Sequence, residues 1–433
     1  MTPTHRSYVL GMLGMLIALI TTTSLVFIIA DPQGIYQRTS IRGLNDVKPG
    51  FNHHEWTARA FGIENVCADA ALFGSSKILH GLPASSFFEQ ENGVLRAYNF
   101  GIGFPSIVEI SDFVRHAHSR CRLKKIVIGL DFFMFNAARL RNDKDYLRVM
   151  RTASAPYAEK LLYRFPLHAK MAFSAQGMTD AMSTILASAS GQPSPRETDW
   201  TMTSSHYEKK VRLMGGYNAI FESEAGSYIG YRPPPFYAFN PVDRSGRSYY
   251  DVFEDLVAFS TREGIELTVF ISPSHAYEFI GLHVLDLWSE FEEFKRKAAN
   301  IVERYALQQI AGRCRGLIDF AYFHEFATES VPPPGSAGVM IYWWESTHYK
   351  RNVGQAIGIR IKQDDMISAT NLQPFGRCLV AESISKILET ERVERNLYIT
   401  SHSLEVVQLY KRIRKLTTSW PHDAPKLMNP IPH

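Results

Sequence analysis

The first segment that could carry nucleophilic chemistry is FGSSK, residues 73–77, where a short apolar run ends in glycine and two serines. Ser76 would lie at the start of a helix. A serine there can present its hydroxyl while backbone N–H groups point at the same place, which suits attack on an acyl carbonyl. The alternative role for such a serine is to cap the helix.

The second segment is WESTHY, residues 344–349, in which Glu345 precedes His348 by three positions. On a short turn the carboxylate can accept the Nδ1 proton of the ring and leave Nε2 free as a base. Of the fifteen histidines, only His348 has an acidic residue at this spacing. Among 43 acidic residues one such pair is expected by chance, so a structural histidine is the alternative.

The elements that must position these segments alternate between strand and helix. Apolar runs predict strands within 68–76, 93–103, 124–133, 265–273 and 315–321, and helical spacing predicts helices at 106–120, 250–264 and 284–306. This alternation predicts a parallel sheet covered on both faces, in a three-layer α/β/α fold. Ligands of such sheets gather at the carboxyl ends of the strands, where Ser76 is expected.

Residues 7–30 carry no charge over 24 positions. As a helix they would be about 36 Å long, enough to cross a hydrocarbon core of about 30 Å. A signal peptide has a shorter apolar run and a small residue three positions before the cleavage site, where this segment has the bulky Ile28. These features favour an uncleaved anchor over a cleaved signal peptide or a buried core helix. The flanking charges leave the orientation open.

The domain organisation follows from these patterns. We predict a membrane anchor at 1–30, an α/β domain at 31–367 with a partly helical insertion at about 136–249, and a helical C-terminal extension at 368–433. Proline-rich stretches and the lack of early strand signals mark the insertion.

Composition excludes several functional classes. The net charge is +4 over 433 residues, with no long basic run, so nucleic acid is not an expected partner. No CxxC pair occurs, and we expect neither a metal site nor a cofactor. The four cysteines, Cys67, Cys121, Cys314 and Cys378, are too few for a disulfide scaffold. A bridge between Cys67 and Cys121 stays open at this point.

The order of the two motifs resembles the SGNH (GDSL-type) hydrolase superfamily. GSSK is similar to the first block of that family, with Ser76 as nucleophile, and WWESTHY is similar to the last block, with Glu345 and His348 completing the triad. AYNFGIGFPS is similar to the second block, so the resemblance implies an oxyanion hole formed by the N–H groups of Ser76 and of Gly103 or Gly101.

The resemblance covers about residues 31–365 and is specific in block order. It implies a mainly parallel, flavodoxin-like sheet and a serine esterase or O-acyltransferase. The layout is similar to membrane-anchored SGNH-like proteins of bacterial envelope polysaccharide modification. It therefore implies a single-pass protein of the bacterial inner membrane with an extracytoplasmic domain. Its expected partners are the membrane, a glycan or acyl donor, and envelope biosynthesis proteins.

Three positions depart from the family pattern and support an alternative. Asp131 stands where the third block has asparagine, Glu345 replaces aspartate, and Ser75 replaces the aspartate before the nucleophile. An ionised Asp131 cannot donate a hydrogen bond to an oxyanion. The alternative hypothesis is therefore a non-catalytic relative that binds polymer or partners during envelope assembly or export.

Four further residues are expected to line the pocket, since each follows a predicted strand. They are Ser75, Asp131, Ser272 and His275. Lys77 and His80 could meet an anionic substrate or could simply lie on a helix surface.

Overall fold

The structure is a computed structural model that describes residues 3–36, 40–88, 96–136, 145–224, 246–305, 314, 316–362 and 375–418. The helices are α1 (Pro3–Ala30), α2 (Glu55–Val66), α3 (Ser76–Gly81), α4 (Ala84–Phe87), α5 (Ile107–Cys121), α6 (Asp145–Arg151), α7 (Tyr157–Ala172), α8 (Ala175–Ala189), α9 (Ser205–Met214), α10 (Tyr217–Glu224), α11 (Tyr249–Arg262), α12 (Ala276–Val284), α13 (Trp288–Tyr305), α14 (Arg351–Lys362), α15 (Ile384–Ser401) and α16 (Ser403–Thr418). Short 3₁₀ turns cover Pro49–His54 and Phe132–Phe135.

Six strands form one sheet: β1 (Ala70–Gly74), β2 (Ala97–Gly101), β3 (Lys125–Leu130), β4 (Glu266–Ile271), β5 (Leu317–Asp319) and β6 (Arg377–Leu379). Their order is β2-β1-β3-β4-β5-β6; the first five are parallel and β6 is antiparallel to β5. The predicted α/β class with a mostly parallel sheet is confirmed. The chain reverses its direction of strand addition at β1, so a switch point lies between the carboxyl ends of β1 and β3.

The chain divides into two compact units. The first comprises residues 1–67, 116–122 and 141–197, and the second comprises 68–115, 123–140 and 198–433. The predicted insertion at 136–249 therefore contributes helices to both units, α6 to α8 in the first and α9 and α10 in the second. The predicted domain boundaries at residues 30 and 367 stay predictions.

The C-terminal extension contains a strand that the sequence pattern did not indicate. β6 is only three residues long, and a periodic signal needs a longer run. It pairs with β5. Cys378, the central residue of β6, forms a disulfide with Cys314. Neither Cys67 nor Cys121 forms a disulfide, so the bridge considered between them is absent.

A buried ion cluster binds α15 to the sheet. Lys295 on α13 is fully buried and lies 2.7 Å from Asp319 at the end of β5 and 2.8 Å from Glu391 on α15. Its ammonium also donates to the carbonyl of Ala321 at 2.7 Å. A buried charge without partners is strongly destabilising, so these three contacts allow the Lys295 ammonium to remain charged in the protein interior.

In the first unit, α1 contains a stretch, His5–Ala30, that is long and apolar enough to span a membrane. Only 6% of its most apolar 18-residue stretch is buried. The alternative interpretation of this segment as a buried core helix is therefore wrong. The last turn is part of the fold, because Phe27 and Ala30 are completely buried. Asn45 donates to the carbonyl of Ile29 at 2.8 Å, and Lys48 donates to that of Asp31 at 2.5 Å.

Candidate active site

The turn after β1 places Ser76 at the first position of α3. Gly74 has φ +154°, and a Cβ there would lie 2.4 Å from Cγ1 of Ile78 and 2.8 Å from the carbonyl oxygen of Gly129. Only glycine lets the strand pass this close to β3 and α3. The serines that follow therefore emerge beside the switch point of the sheet.

The two serines have different roles. Ser75 is completely buried and caps α3, since its Oγ accepts a hydrogen bond from the N–H of Lys77 at 3.1 Å. The Oγ of Ser76 instead lies 2.7 Å from Nε2 of His348. The capping alternative thus applies to Ser75, which is a helix cap and not a pocket residue, and leaves Ser76 for other chemistry.

His348 lies on a tight turn whose ends are joined by a bridge between Trp343 and Tyr349. The N–H of Trp344 donates to the carbonyl of His348 at 2.9 Å and closes the turn. Inside it, the Oε1 of Glu345 hydrogen-bonds Nδ1 of the ring. The sequence spacing predicted this pairing, and the structure has it.

The carboxylate of Glu345 is completely buried but fully partnered. It accepts hydrogen bonds from the N–H groups of Thr347 at 2.8 Å and His348 at 3.0 Å, and from the Thr347 hydroxyl. Burial alone would raise the pKa of Glu345, but the adjacent His348 ring and these donors outweigh it and lower the pKa to about 2. The ionised carboxylate therefore holds the proton of His348 on Nδ1 and leaves Nε2 to accept the proton of Ser76.

The oxyanion donors expected beside Ser76 are only partly as predicted. The backbone N–H of Ser76 is at the N-terminus of α3 and has no hydrogen-bond partner among the described residues. The N–H of Gly101 already donates to Oδ1 of Asn99 at 2.7 Å, so Gly101 is not available. Gly103 lies half-buried two residues beyond β2, and its role as a donor stays a prediction.

Asn99 is a positioning residue that the sequence analysis missed. Its Nδ2 donates to the carbonyls of Ile78 at 3.0 Å and Leu82 at 2.8 Å, at the C-terminal end of α3. The side chain is fully buried in β2. An asparagine within the apolar run AYNFG is the signal that could have identified it, because a buried amide needs several partners.

Asp131 follows β3 and is bound to Lys77 rather than directed at an oxyanion. The Nζ of Lys77 lies 2.9 Å from Oδ1 of Asp131 and 3.4 Å from Glu278, and it donates to Oγ of Ser274 at 2.6 Å. Lys77 is buried; burial alone would lower its pKa, but the two carboxylates raise it. The structure thus assigns Asp131 to an ion pair, and Lys77 is neither a surface residue nor free to meet a substrate anion.

This ion cluster is the main feature of the site that sequence reasoning did not foresee. Lys77 directly follows Ser76, so the cluster fixes the first turn of α3 to the end of β3 and to α12. Ser274 lies between Ser272 and His275, in the segment that follows β4. A lysine directly after Ser76 and an aspartate at the end of β3 were the available signals.

Ser272 and His275 do not line an open pocket. Ser272 is buried at the end of β4, where its N–H donates to the carbonyl of Leu130 at 2.9 Å. His275 is completely buried and caps α12: its Nδ1 accepts from Tyr277 at 3.2 Å and its Nε2 donates to the carbonyl of Glu329 at 2.7 Å. Burial lowers the pKa of His275 to about 4, so the ring is neutral.

Aromatic rings surround His348. The His80 ring lies 5.6 Å from it in an edge-on arrangement, and the Tyr207 ring lies 5.3 Å away. Tyr207 stacks on Trp344 at 5.6 Å, and both are buried, so they are packing residues. His206 is the exposed member of this group. Within the described ranges, no cluster of histidine, cysteine and acidic residues could hold a metal ion.

Comparison with known proteins adds no assignment to this geometry. No protein-family model matches the chain, and no curated protein matches it significantly. The function is therefore inferred from the geometry of the site.

Proposed function

We propose that the protein is a serine-dependent esterase or O-acyltransferase with Ser76 as its nucleophile. The observation that carries the proposal is the continuous hydrogen-bonded series from Ser76 through His348 to the ionised, buried Glu345. A half-exposed nucleophile, a base and a group that orients the base are the three parts that acyl transfer requires.

In the first half-reaction, the Oγ of Ser76 attacks the acyl carbonyl while Nε2 of His348 takes its proton. The backbone N–H of Ser76 stabilises the oxyanion. Collapse breaks the ester C–O bond, and the imidazolium protonates the departing alcohol. In the second half-reaction, Nε2 takes a proton from water or from an acceptor hydroxyl, which attacks the acyl-enzyme. Ser76 recovers its proton from His348 as it leaves.

The fold supports the resemblance to SGNH hydrolases. The strand order 2-1-3-4-5 is that of flavodoxin-like sheets, and we propose the corresponding three-layer arrangement. Ser76 follows β1, and Glu345 and His348 follow β5, which is the block order of that superfamily. The site lies at the carboxyl ends of the strands, where such sheets bind ligands.

We further propose that α1 is an uncleaved anchor in the bacterial inner membrane and that the remaining chain is extracytoplasmic. The buried last turn of α1 supports an uncleaved helix, because cleavage would remove Phe27 and Ala30 from the core. The disulfide between Cys314 and Cys378 supports an oxidising compartment. An acylated envelope glycan is the substrate class that this location suggests, with envelope biosynthesis proteins as partners.

One observation favours a second candidate, a non-catalytic binding protein. Asp131 is committed to Lys77, so the side-chain oxyanion donor implied by the family's third block is missing. A site with a weaker oxyanion hole would retain the fold and bind polymer or partner proteins without turnover.

Chromogenic acetyl esters distinguish the two candidates. The full-length protein in detergent is mixed with excess ester, and the fast release of the alcohol is followed before steady state. The enzyme hypothesis predicts a burst of about one equivalent that disappears in Ser76→Ala and persists in Ser75→Ala. A folded wild-type protein without burst or turnover supports the binding protein.

A further inference from the structure

Helix α7 presents a broad apolar face to solvent. Tyr157 is 81% exposed, Leu161 54%, Leu162 71% and Phe165 63%. Tyr157 and Leu161, Leu161 and Phe165, and Leu162 and Phe165 are each three or four residues apart, so the four side chains share one broad side of the helix. The opposite side carries the buried Leu167. Contiguous apolar surface of this size is rare on soluble proteins and marks an interaction site.

Helix α8 and the turn before it extend this surface. Phe173, between the two helices, is 48% exposed, and Met182 and Leu186 on one side of α8 are 50% and 63% exposed. The other side of α8 is buried at Ala181 and Ala187. We call these exposed residues of α7, Phe173 and α8 the apolar hairpin face.

The apolar hairpin face belongs to the same compact unit as α1, and side-chain contacts tie both of its helices to the end of α1. The buried Phe27 ring of α1 contacts the Tyr36 ring at 6.2 Å, and the Tyr36 hydroxyl lies 2.9 Å from Nδ1 of His168 on α7. Gln33, three residues after the end of α1, donates through Nε2 to Oδ2 of Asp180 on α8 at 3.2 Å.

These ties limit where α7 and α8 can be relative to a bilayer. If α1 crosses the hydrocarbon core and emerges at Ala30, then a helix linked to Phe27 through Tyr36 is close to the level at which the span ends. Tryptophan and tyrosine are enriched at that level, where their amphipathic rings meet the lipid headgroups.

We propose that the apolar hairpin face inserts into the interfacial region of the membrane that α1 spans. The proposal rests on the proposed anchoring by α1 and is independent of the chemistry at Ser76. A lipid partner fits this surface, because large apolar side chains are exposed to solvent close to the end of a helix that is apolar enough to span a membrane. The surface thus adds a monotopic contact to a single-span anchor and fixes the tilt of the first unit on the membrane.

Lipid photolabelling tests the proposal on the full-length chain. The protein is reconstituted in vesicles of phosphatidylethanolamine and phosphatidylglycerol at 3:1, doped with a phosphatidylcholine that carries a diazirine on its acyl chain. After irradiation, adducts are mapped by mass spectrometry. We expect adducts on α1 and on the peptides that contain 157–173 and 182–186.

The triple variant Leu161→Gln, Leu162→Gln and Phe165→Gln should lose most adducts on α7 while α1 keeps its own. The matched control Leu404→Gln, 72% exposed on α16, should leave the labelling pattern unchanged. Wild-type adducts confined to α1 would overturn the proposal but leave the anchor intact. An unlabelled α1 would overturn the anchor itself, and an apolar hairpin face found cross-linked to a second copy would also overturn the proposal.

Discussion

Nε2 of His348 lies 2.7 Å from Oγ of Ser76, although 272 positions separate the two residues in the chain. The contact forms because Ser76 follows β1 and His348 lies on a turn after β5 of one parallel sheet. Further contacts fix both residues in position. Lys77, next to Ser76, lies in a buried ion cluster, and Glu345 hydrogen-bonds the ring of His348. We propose that Ser76 is the nucleophile and His348 the base, and each part of this arrangement can be tested separately.

Glu345→Gln should lower kcat by about 10²–10⁴-fold. The amide cannot replace the carboxylate, because its NH₂ would face either Nδ1 of His348 or the N–H of Thr347. Steady-state kinetics with the acetyl ester measure the effect. Thr347→Val, which removes only one hydroxyl contact, should cost less than about tenfold. Equal losses in both variants would contradict an orienting role for Glu345.

Lys77→Met should destabilise the protein by about 3–5 kcal/mol, because two buried carboxylates would lose their cation. Urea unfolding of the full-length chain in detergent measures the change. The triple variant Lys77→Met, Asp131→Asn, Glu278→Gln should recover much of the loss, since it removes the stranded charges as well. A single variant as stable as wild type would show that the ion cluster is not formed.

The disulfide makes a prediction about thiols and stability. The denatured, unreduced protein should titrate two thiols, Cys67 and Cys121, and four after reduction. Replacing both Cys314 and Cys378 by alanine should lower the free energy of unfolding by about 2–5 kcal/mol. Four thiols before reduction would contradict the bridge and weaken the case for an oxidising compartment.

Stability should fall in mild acid because of buried neutral histidines. Burial lowers the pKa of His275 to about 4 and that of His324 to about 3, against about 6.5 in the unfolded chain. Below pH 6.5 the unfolded state therefore binds more protons than the folded state. Each of the two rings then lowers the free energy of unfolding by up to roughly 1.4 kcal/mol per pH unit. The loss continues until the folded-state pKa is reached.

His275→Asn tests this linkage, since asparagine can cap α12 but does not titrate. The variant should be less stable than wild type at pH 7, and the difference should shrink between pH 6.5 and 4.5. Denaturant unfolding at several pH values measures it. A difference that stays constant with pH would mean that His275 is not a buried neutral ring.

The sequence predicted the strands and the pairing of Glu345 with His348, because both depend on short-range patterns. A β-strand shows in a run of apolar residues, and a carboxylate three positions before a histidine can reach it on one turn. The position of Ser76 after the first strand could be predicted, because Gly74 and the two serines that follow it mark the end of the apolar run.

Other features depend on contacts between distant segments and were not predictable from one sequence. The partner of Asp131 is Lys77, brought beside it by the pairing of β1 with β3. The loss of Gly101 as a donor depends on the rotamer of Asn99. Three residues of β6 become a strand only because β5 offers a free edge, so tertiary pairing decides it.

Intact-mass analysis after treatment with a fluorophosphonate tests the central claim most directly. The full-length wild-type protein should gain one adduct, mapped to Ser76, and Ser75→Ala should gain it as well. Ser76→Ala and His348→Ala should gain none. A folded wild-type protein that takes up no adduct, or an adduct that persists in Ser76→Ala, would contradict the assignment of Ser76 as an activated nucleophile.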